Sequence, residues 1–322
     1  MSVVVDAHVH IFEWGYFPEA WHDASAFHWS ESRMSRRDPA EIRPHVERGT
    51  VDPNGEILVK DMDRAGVDVG ITLTLDWGVA LGHMTTDIRD IHEHYAQLQS
   101  GAIGNLAGRF FAVAGVDPRR PGALELFEDA VTRMGMKGFK LYPPCGYFPY
   151  DDVCFPFYQR ALDLNVPVVI HTAVVGWPLI GRFANPMGIG DVQVKYPDLT
   201  IVMAHSGHPI WLQEAILVAS RHPRTYLELS NWNWNMKTDP EGTVRALADM
   251  RDGVGAHRIL FGSDYISGPR FGGEKSDMPQ WVQFIRELPE RARSLGLSFS
   301  QEEIDLILGE NARRVFNLEE IS

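Results

Sequence analysis

Two histidines separated by one residue, His8 and His10, end the run Val3-Val4-Val5-Asp6-Ala7-His8-Val9-His10. An apolar, β-branched run signals a buried strand, and residues two apart on a strand point to the same side. Both imidazoles can therefore converge on one point, which is half of a metal site. Taken alone, the pair reads more simply as polar decoration of a surface strand, because a metal needs further donors.

Those donors follow later apolar runs. Pro167-Val168-Val169-Ile170 leads into His171, Ile201-Val202-Met203-Ala204 into His205, and Ile259-Leu260-Phe261-Gly262-Ser263 into Asp264. A core histidine satisfied by one hydrogen bond explains any single case, but not a recurrence at four run ends. Imidazole nitrogens and a carboxylate oxygen suit Zn²⁺, and also Mn²⁺, Fe²⁺ or Co²⁺. Several protein ligands with room for water describe an open, catalytic site. A divalent ion there lowers the pKa of its water and generates hydroxide near neutral pH. Asp264 can both ligate the ion and accept the proton of that water. His205 can polarise a substrate oxygen, shuttle a proton or act as another ligand, and the sequence does not choose among these roles.

The elements that must position these groups are legible as short apolar runs at residues 3–6, 69–75, 110–116, 138–142, 168–171, 200–204, 225–229 and 259–262. Helix-like stretches lie between most of them, at 86–99, 122–134, 155–164, 211–220 and 242–251. Strands alternating with helices imply βα units around a parallel sheet, and eight of them predict an α/β chain folded as a distorted (β/α)8 TIM barrel. In such barrels the catalytic groups sit at the C-terminal ends of the strands, where His8, His10, His171, His205 and Asp264 fall. An open doubly wound sheet lacks support, since no Gly-x-Gly-x-x-Gly turn follows the first strand. We read residues 1–322 as one barrel domain, with a long insertion after strand one. That insertion, residues 13–56, contains Trp14, Trp21 and Trp29 and should hang over the active-site mouth. The stretch 301–318 reads as a helix pair closing the barrel, with Ser300 as N-cap and Glu303 three residues on.

Composition narrows the function. The 322 residues carry a formal net charge of −13, which disfavours nucleic acid and anionic membranes as partners and leaves a small-molecule substrate. Two cysteines, Cys145 and Cys154, do not build a disulfide scaffold. No basic and apolar leader precedes the first strand, and no apolar run spans a bilayer. A cytoplasmic enzyme is expected, and an exposed Trp-rich insertion is compatible with a homodimer.

Taken together, the His8-x-His10 pair, His171, His205 and Gly262-Ser263-Asp264 resemble the amidohydrolase superfamily. The nearer likeness is to its mononuclear branch, amidohydrolase family 2, which includes aminocarboxymuconate semialdehyde decarboxylase, the resorcylate-type decarboxylases and pyrone dicarboxylate lactonase. Glu310-Asn311-Ala312-Arg313-Arg314-Val315-Phe316 is similar to the C-terminal signature of that branch, and the likeness runs from residue 5 to about residue 318. The resemblance implies a barrel with one divalent metal. It implies His8, His10, His171 and Asp264 as ligands and gives His205 a catalytic place beside the metal.

Other residues border the same mouth. In Gly138-Phe139-Lys140-Leu141-Tyr142, alternation puts Lys140 and Tyr142 on one face. Lys140 is there a cation for a substrate carboxylate, a structural ion pair, or the modified lysine that bridges two metals in binuclear relatives. Trp177 and Arg182 after strand five, Trp232 after strand seven and Arg270 after strand eight would suit an aromatic or unsaturated acid. Glu228, within strand seven, could orient a ligand histidine. The chemistry expected is hydrolysis, with metal-bound hydroxide attacking a lactone, ester or amide-like carbonyl. The alternatives are metal-dependent, non-oxidative decarboxylation of an aromatic or muconate-like acid, and a non-catalytic, metal-stabilised binding protein.

Overall fold

The apolar runs become nine parallel strands in a computed structural model that describes residues 2–32 and 37–318. They are β1 (Val5–His10), β2 (Val69–Leu73), β3 (Phe110–Gly115), β4 (Phe139–Leu141), β5 (Val168–His171), β6 (Ile201–Ala204), β7 (Thr225–Glu228), β8 (Ile259–Leu260) and β9 (Tyr265–Ile266). Their order is β8-β7-β6-β5-β4-β3-β2-β1-β9. This is the expected barrel architecture with one change at its seam. The run 259–262 is not a single strand. Its first half pairs with β7, the chain then leaves the ladder, and β9 pairs with β1 on the other side. Ala7 N donates to the Phe261 carbonyl at 2.9 Å across the join. The break ends at Asp264, whose φ of +54° is left-handed, a conformation that asparagine and aspartate tolerate better than most residues.

Side chains alternate across each strand. One set, including Val5, Ala7, Val113, Val169, Val202 and Leu260, meets Ala312, Val315 and Phe316 from the chain's last helical segment in a single buried cluster that fills the barrel's floor. The other set packs beneath the surrounding helices. Five of these, Ile88–Ser100, Ala123–Thr132, Phe155–Asp163, Leu212–Arg221 and Pro240–Val254, stand where helices are expected. The expected C-terminal helix pair is instead one continuous helical stretch. Gln301–Asp305 passes through a π turn at Leu306–Glu310 into Asn311–Val315. In that turn Gly309 lies against the Val3 carbonyl, where a Cβ would collide. The Ser300/Glu303 capping box is present as read.

The segment after β1 is helical where the sequence shows no barrel element. It holds α1 (Glu19–Ser32) and α2 (Pro39–Gly49); residues 33–36 of the insertion lie outside the described residues. Arg43 of α2 bridges Glu19 and Asp23 of α1, as well as Glu47 on its own helix. The Glu19 and Asp23 carboxylates are exposed, so we assign the two pairs between the helices orientation more than stability. Among the described residues, no helix is long and apolar enough to cross a membrane.

Candidate active site

The first strand is irregular where it matters. Its register against β2 shifts between Asp6 and Val9, a bulge that re-aims side chains. Past it, His8 and His10 both line one cavity at the C-terminal mouth of the barrel. Buried Asp6 locks this geometry: its carboxylate accepts from His8 N at 3.1 Å, Ser263 N at 3.0 Å and Ser263 Oγ at 2.5 Å. One side chain therefore ties the His-x-His strand to the turn that presents Asp264.

The three foremost donor atoms are close. His8 Nε2 lies 3.2 Å from His10 Nε2, and Asp264 Oδ1 lies 3.4 Å from the former and 3.2 Å from the latter. Nitrogen and oxygen ligands about 2.0–2.2 Å from a shared ion are about 3.0–3.5 Å apart in octahedral or tetrahedral arrangement. The trio thus fits a divalent cation. His171 and His205 sit beside it as a pair, with His205 Nε2 3.0 Å from His171 Nδ1.

Hydrogen-bond partners assign the tautomers. His8 Nδ1 faces Glu228 Oε2 at 3.0 Å; when Glu228 is ionised it only accepts, so the proton is on Nδ1 and Nε2 is free to ligate. His171 Nε2 donates to the Ala173 carbonyl at 3.0 Å, which leaves its Nδ1 with a lone pair. Ser230 Oγ donates to Glu228 Oε2 at 2.6 Å and accepts from His205 Nδ1 at 2.6 Å, so His205 Nε2 also carries a lone pair. Two lone pairs facing each other at 3.0 Å repel unless a cation or proton lies beside them. Burial holds His8, His171 and His205 well below the usual imidazole range, which favours the neutral form that ligates metal. Among the described residues the close donor groups are His8 with His10 and Asp264, and His8 with His205 and Glu228; the expected ligand His171 falls outside both, held beside them by its contact with His205.

Glu228 organises this region as the sequence suggests, and Ser230, not singled out there, completes it. Besides His8, Glu228 Oε2 accepts from His205 N at 3.1 Å, and Oε1 accepts from Ser230 N at 2.5 Å. Burial pushes Glu228 up to about 7, against the lowering effect of these bonds. Three of the residues here, His205, Ser206 and Asn231, have left-handed φ. With Asp264 they place non-glycine backbone strain at the ends of β6, β7 and β8, where functional sites tend to hold it.

The cavity is small, about 180 Å³. Phe12, Phe17, Trp21, Trp77 and Tyr142 wall it, with the rings of Phe17 and Trp77 stacked at 5.1 Å. Lys140 enters it from β4, fully buried, and its Nζ has no hydrogen-bond partner among the described residues. Desolvation lowers its pKa to about 8, opposed by Glu228 and Asp264. Phe17, Thr50 and Trp77 were not singled out from sequence. Trp77 follows β2 at the barrel's C-terminal end, a position the strand-end logic could have flagged.

The remaining sequence candidates lie elsewhere. Trp177 is 66% exposed and meets Phe27 of α1 edge-on. Arg182 lies over the Phe183 ring. Neither lines the cavity, because the loop after β5 carries them outward past Val174. Trp232 is buried behind the site, where its Nε1 donates to the His205 carbonyl at 3.1 Å. Arg270 is held against Trp29 in a neighbouring cavity.

The amidohydrolase family model matches residues 5–318 of the chain. No curated protein matches significantly in sequence. Among solved structures, a TIM-barrel protein from Bordetella bronchiseptica shares 21% identity over 98% of each chain with a TM-score of 0.64. 2,6-Dihydroxybenzoate decarboxylase from Rhizobium shares 17% identity over 99% of this chain and 100% of its own, TM-score 0.62. 5-Carboxyvanillate decarboxylase from Novosphingobium aromaticivorans, complexed with manganese and a nitrobenzoic acid, shares 16% over 98% and 96%, TM-score 0.62. At these identities the likeness to solved structures is one of fold.

Proposed function

Because this chain belongs to the amidohydrolase family, we propose that it is a metal-dependent hydrolase of a small aromatic or unsaturated substrate that carries a carboxylate. The observation that carries this reading is the juxtaposition, in one aromatic-walled cavity, of the His8–His10–Asp264 trio and the buried ammonium of Lys140. His8, His10 and Asp264 would hold one divalent ion, and His171 is the further ligand we propose; Zn²⁺ suits the set, as do Mn²⁺, Fe²⁺ and Co²⁺. Such an ion supplies Lewis acidity toward a lactone, ester or amide-like carbonyl and toward water.

The chain's own groups do the rest. Lys140 binds the substrate carboxylate, since an unpartnered buried ammonium is costly until an anion meets it. Trp77, Phe17 and Tyr142 hold the planar body. Asp264 takes the proton of the attacking water on its carboxylate and returns it to the leaving group. His205, fixed by Ser230 on one nitrogen, offers the other to the developing charge. We place the enzyme in the cytoplasm on its two buried, unpaired thiols, Cys145 and Cys154.

A screen of lactones and aromatic acids on metal-loaded protein, recording released acid and CO2 separately, tests the reaction. Acid without CO2 is the expected result. CO2 without consumption of water would identify the second reading, non-oxidative decarboxylation, in which Asp264 or His205 hands a proton to the carbon that loses its carboxylate. The aromatic walls favour that reading, and two of the structural neighbours are decarboxylases of aromatic acids.

Two variants separate ligands from the other groups. His171→Ala should strip bound metal, whereas His205→Ala should lose turnover with metal retained. Metal analysis of both proteins decides; the reverse pattern would exchange the two roles. Lys140→Met should raise KM by about 10–100-fold, the value of one charge-assisted contact, with metal content unchanged. An unaltered KM would remove Lys140 from the substrate's path.

A further inference from the structure

A second, larger cavity of about 670 Å³ opens between α2 and the loop after β9. Arg37, His45, Arg48, Arg270 and Lys275 line it together with Trp29, and no carboxylate lines it among the described residues. In a chain of net charge −13 this is a local reversal of sign. The Arg270 guanidinium lies 3.4 Å from the centre of the Trp29 ring, so these two engage each other at the inner wall, and His45, Arg48 and Lys275 are the cations at exposed positions.

The cavity backs directly onto the candidate active site. Gly49 lines the outer cavity and its neighbour Thr50 the inner one; Pro269 lines the outer and Ile266 the inner. These two strips are bonded to each other, Arg270 N donating to the Gly49 carbonyl at 2.9 Å, and to the metal-site strand, Ser267 N donating to the His10 carbonyl at 2.9 Å. Their contact is close enough that a Cβ on Gly49 would meet Cβ of Arg270 at 2.8 Å.

We propose that this outer cavity is a binding site for small aromatic carboxylates. His45, Arg48 and Lys275 would meet the carboxylate, and the apolar wall of Ile42 and Val46 would take the ring. Such a site would draw an acidic substrate toward a mouth that the chain's overall charge repels. Naming the anion as incoming substrate rests on the function proposed above; the binding itself does not. A regulatory acid of the same chemistry would use the same groups.

Calorimetric titration of the metal-loaded protein with isophthalate tests the site. Lys140→Met serves as background, so that the inner cavity binds about 10–100-fold more weakly and the outer site is read on its own. Isophthalate should still bind, more weakly at high salt. Adding Arg48→Gln and Lys275→Gln, both at exposed positions, should weaken binding at least about tenfold through loss of two charged contacts. Binding that vanishes with Lys140→Met, or that ignores the Arg48→Gln/Lys275→Gln pair, would overturn the outer site and leave the inner one standing. If the pair also lowers kcat/KM in the Lys140 protein, the anion is substrate in transit; if kcat/KM is unchanged while isophthalate binding is lost, it is a separate ligand. Outer binding without any turnover would instead count against the proposed function alone.

Discussion

Asp264→Asn is expected to lower kcat by about 10³-fold, within the range for a lost general acid–base group, while the barrel stays folded. The substitution keeps the shape of the side chain and removes its charge and proton affinity. It also keeps the backbone. Asp264 sits at φ +54°, where asparagine is tolerated and alanine is not, so the break between β8 and β9 should survive. The carboxylate is the one anionic member of the trio that faces the imidazoles of His8 and His10. Steady-state turnover and thermal unfolding check the claim together. Turnover at the wild-type rate would exclude Asp264 from the chemistry, and an unfolded protein would show that its role is structural.

Gly262→Ala should damage stability and metal binding at once. A Cβ at this position would fall inside the space of Glu228 Oε1 and lie 3.1 Å from His8 Cβ. Glu228 cannot retreat cheaply, because His8, the backbone N–H of His205 and both donors of Ser230 hold it. Overpacking together with disrupted buried hydrogen bonds is worth about 3 kcal/mol, and a displaced partner of a ligating histidine weakens metal by about 10–100-fold. Thermal unfolding and metal titration of the variant measure both. A wild-type Tm with a full complement of metal would mean that Glu228 does not anchor the site.

The barrel was legible because each strand is a short apolar run followed directly by a polar group of distinct chemistry. His8, His10, His171, His205 and Asp264 could be read as one set for that reason, and all five line a single cavity. The split between β8 and β9 was not legible, since Phe261 and Gly262 extend the apolar run while the turn at Ser263 depends on Asp6, over 250 residues away. Helix α1 was hidden for a different reason. Its buried positions include His22, Ala24, Ala26 and Ser30, which are small or polar, so no apolar stripe marks the helix. Helix α2 has Pro44 in its interior, ordinarily a stop signal. Loop order alone puts Trp177, Arg182 and Arg270 near the mouth, and loop order does not say which way a long loop turns. Gly268 and the bond from Arg270 N to the Gly49 carbonyl hold the last of these in the outer cavity.

Anomalous diffraction from crystals of the protein loaded with Zn²⁺ or Mn²⁺ tests the metal centre most directly. One peak is predicted per chain, about 2.0–2.3 Å from His8 Nε2, His10 Nε2 and Asp264 Oδ1. A peak elsewhere, or none among these residues at saturating metal, would contradict the proposed centre.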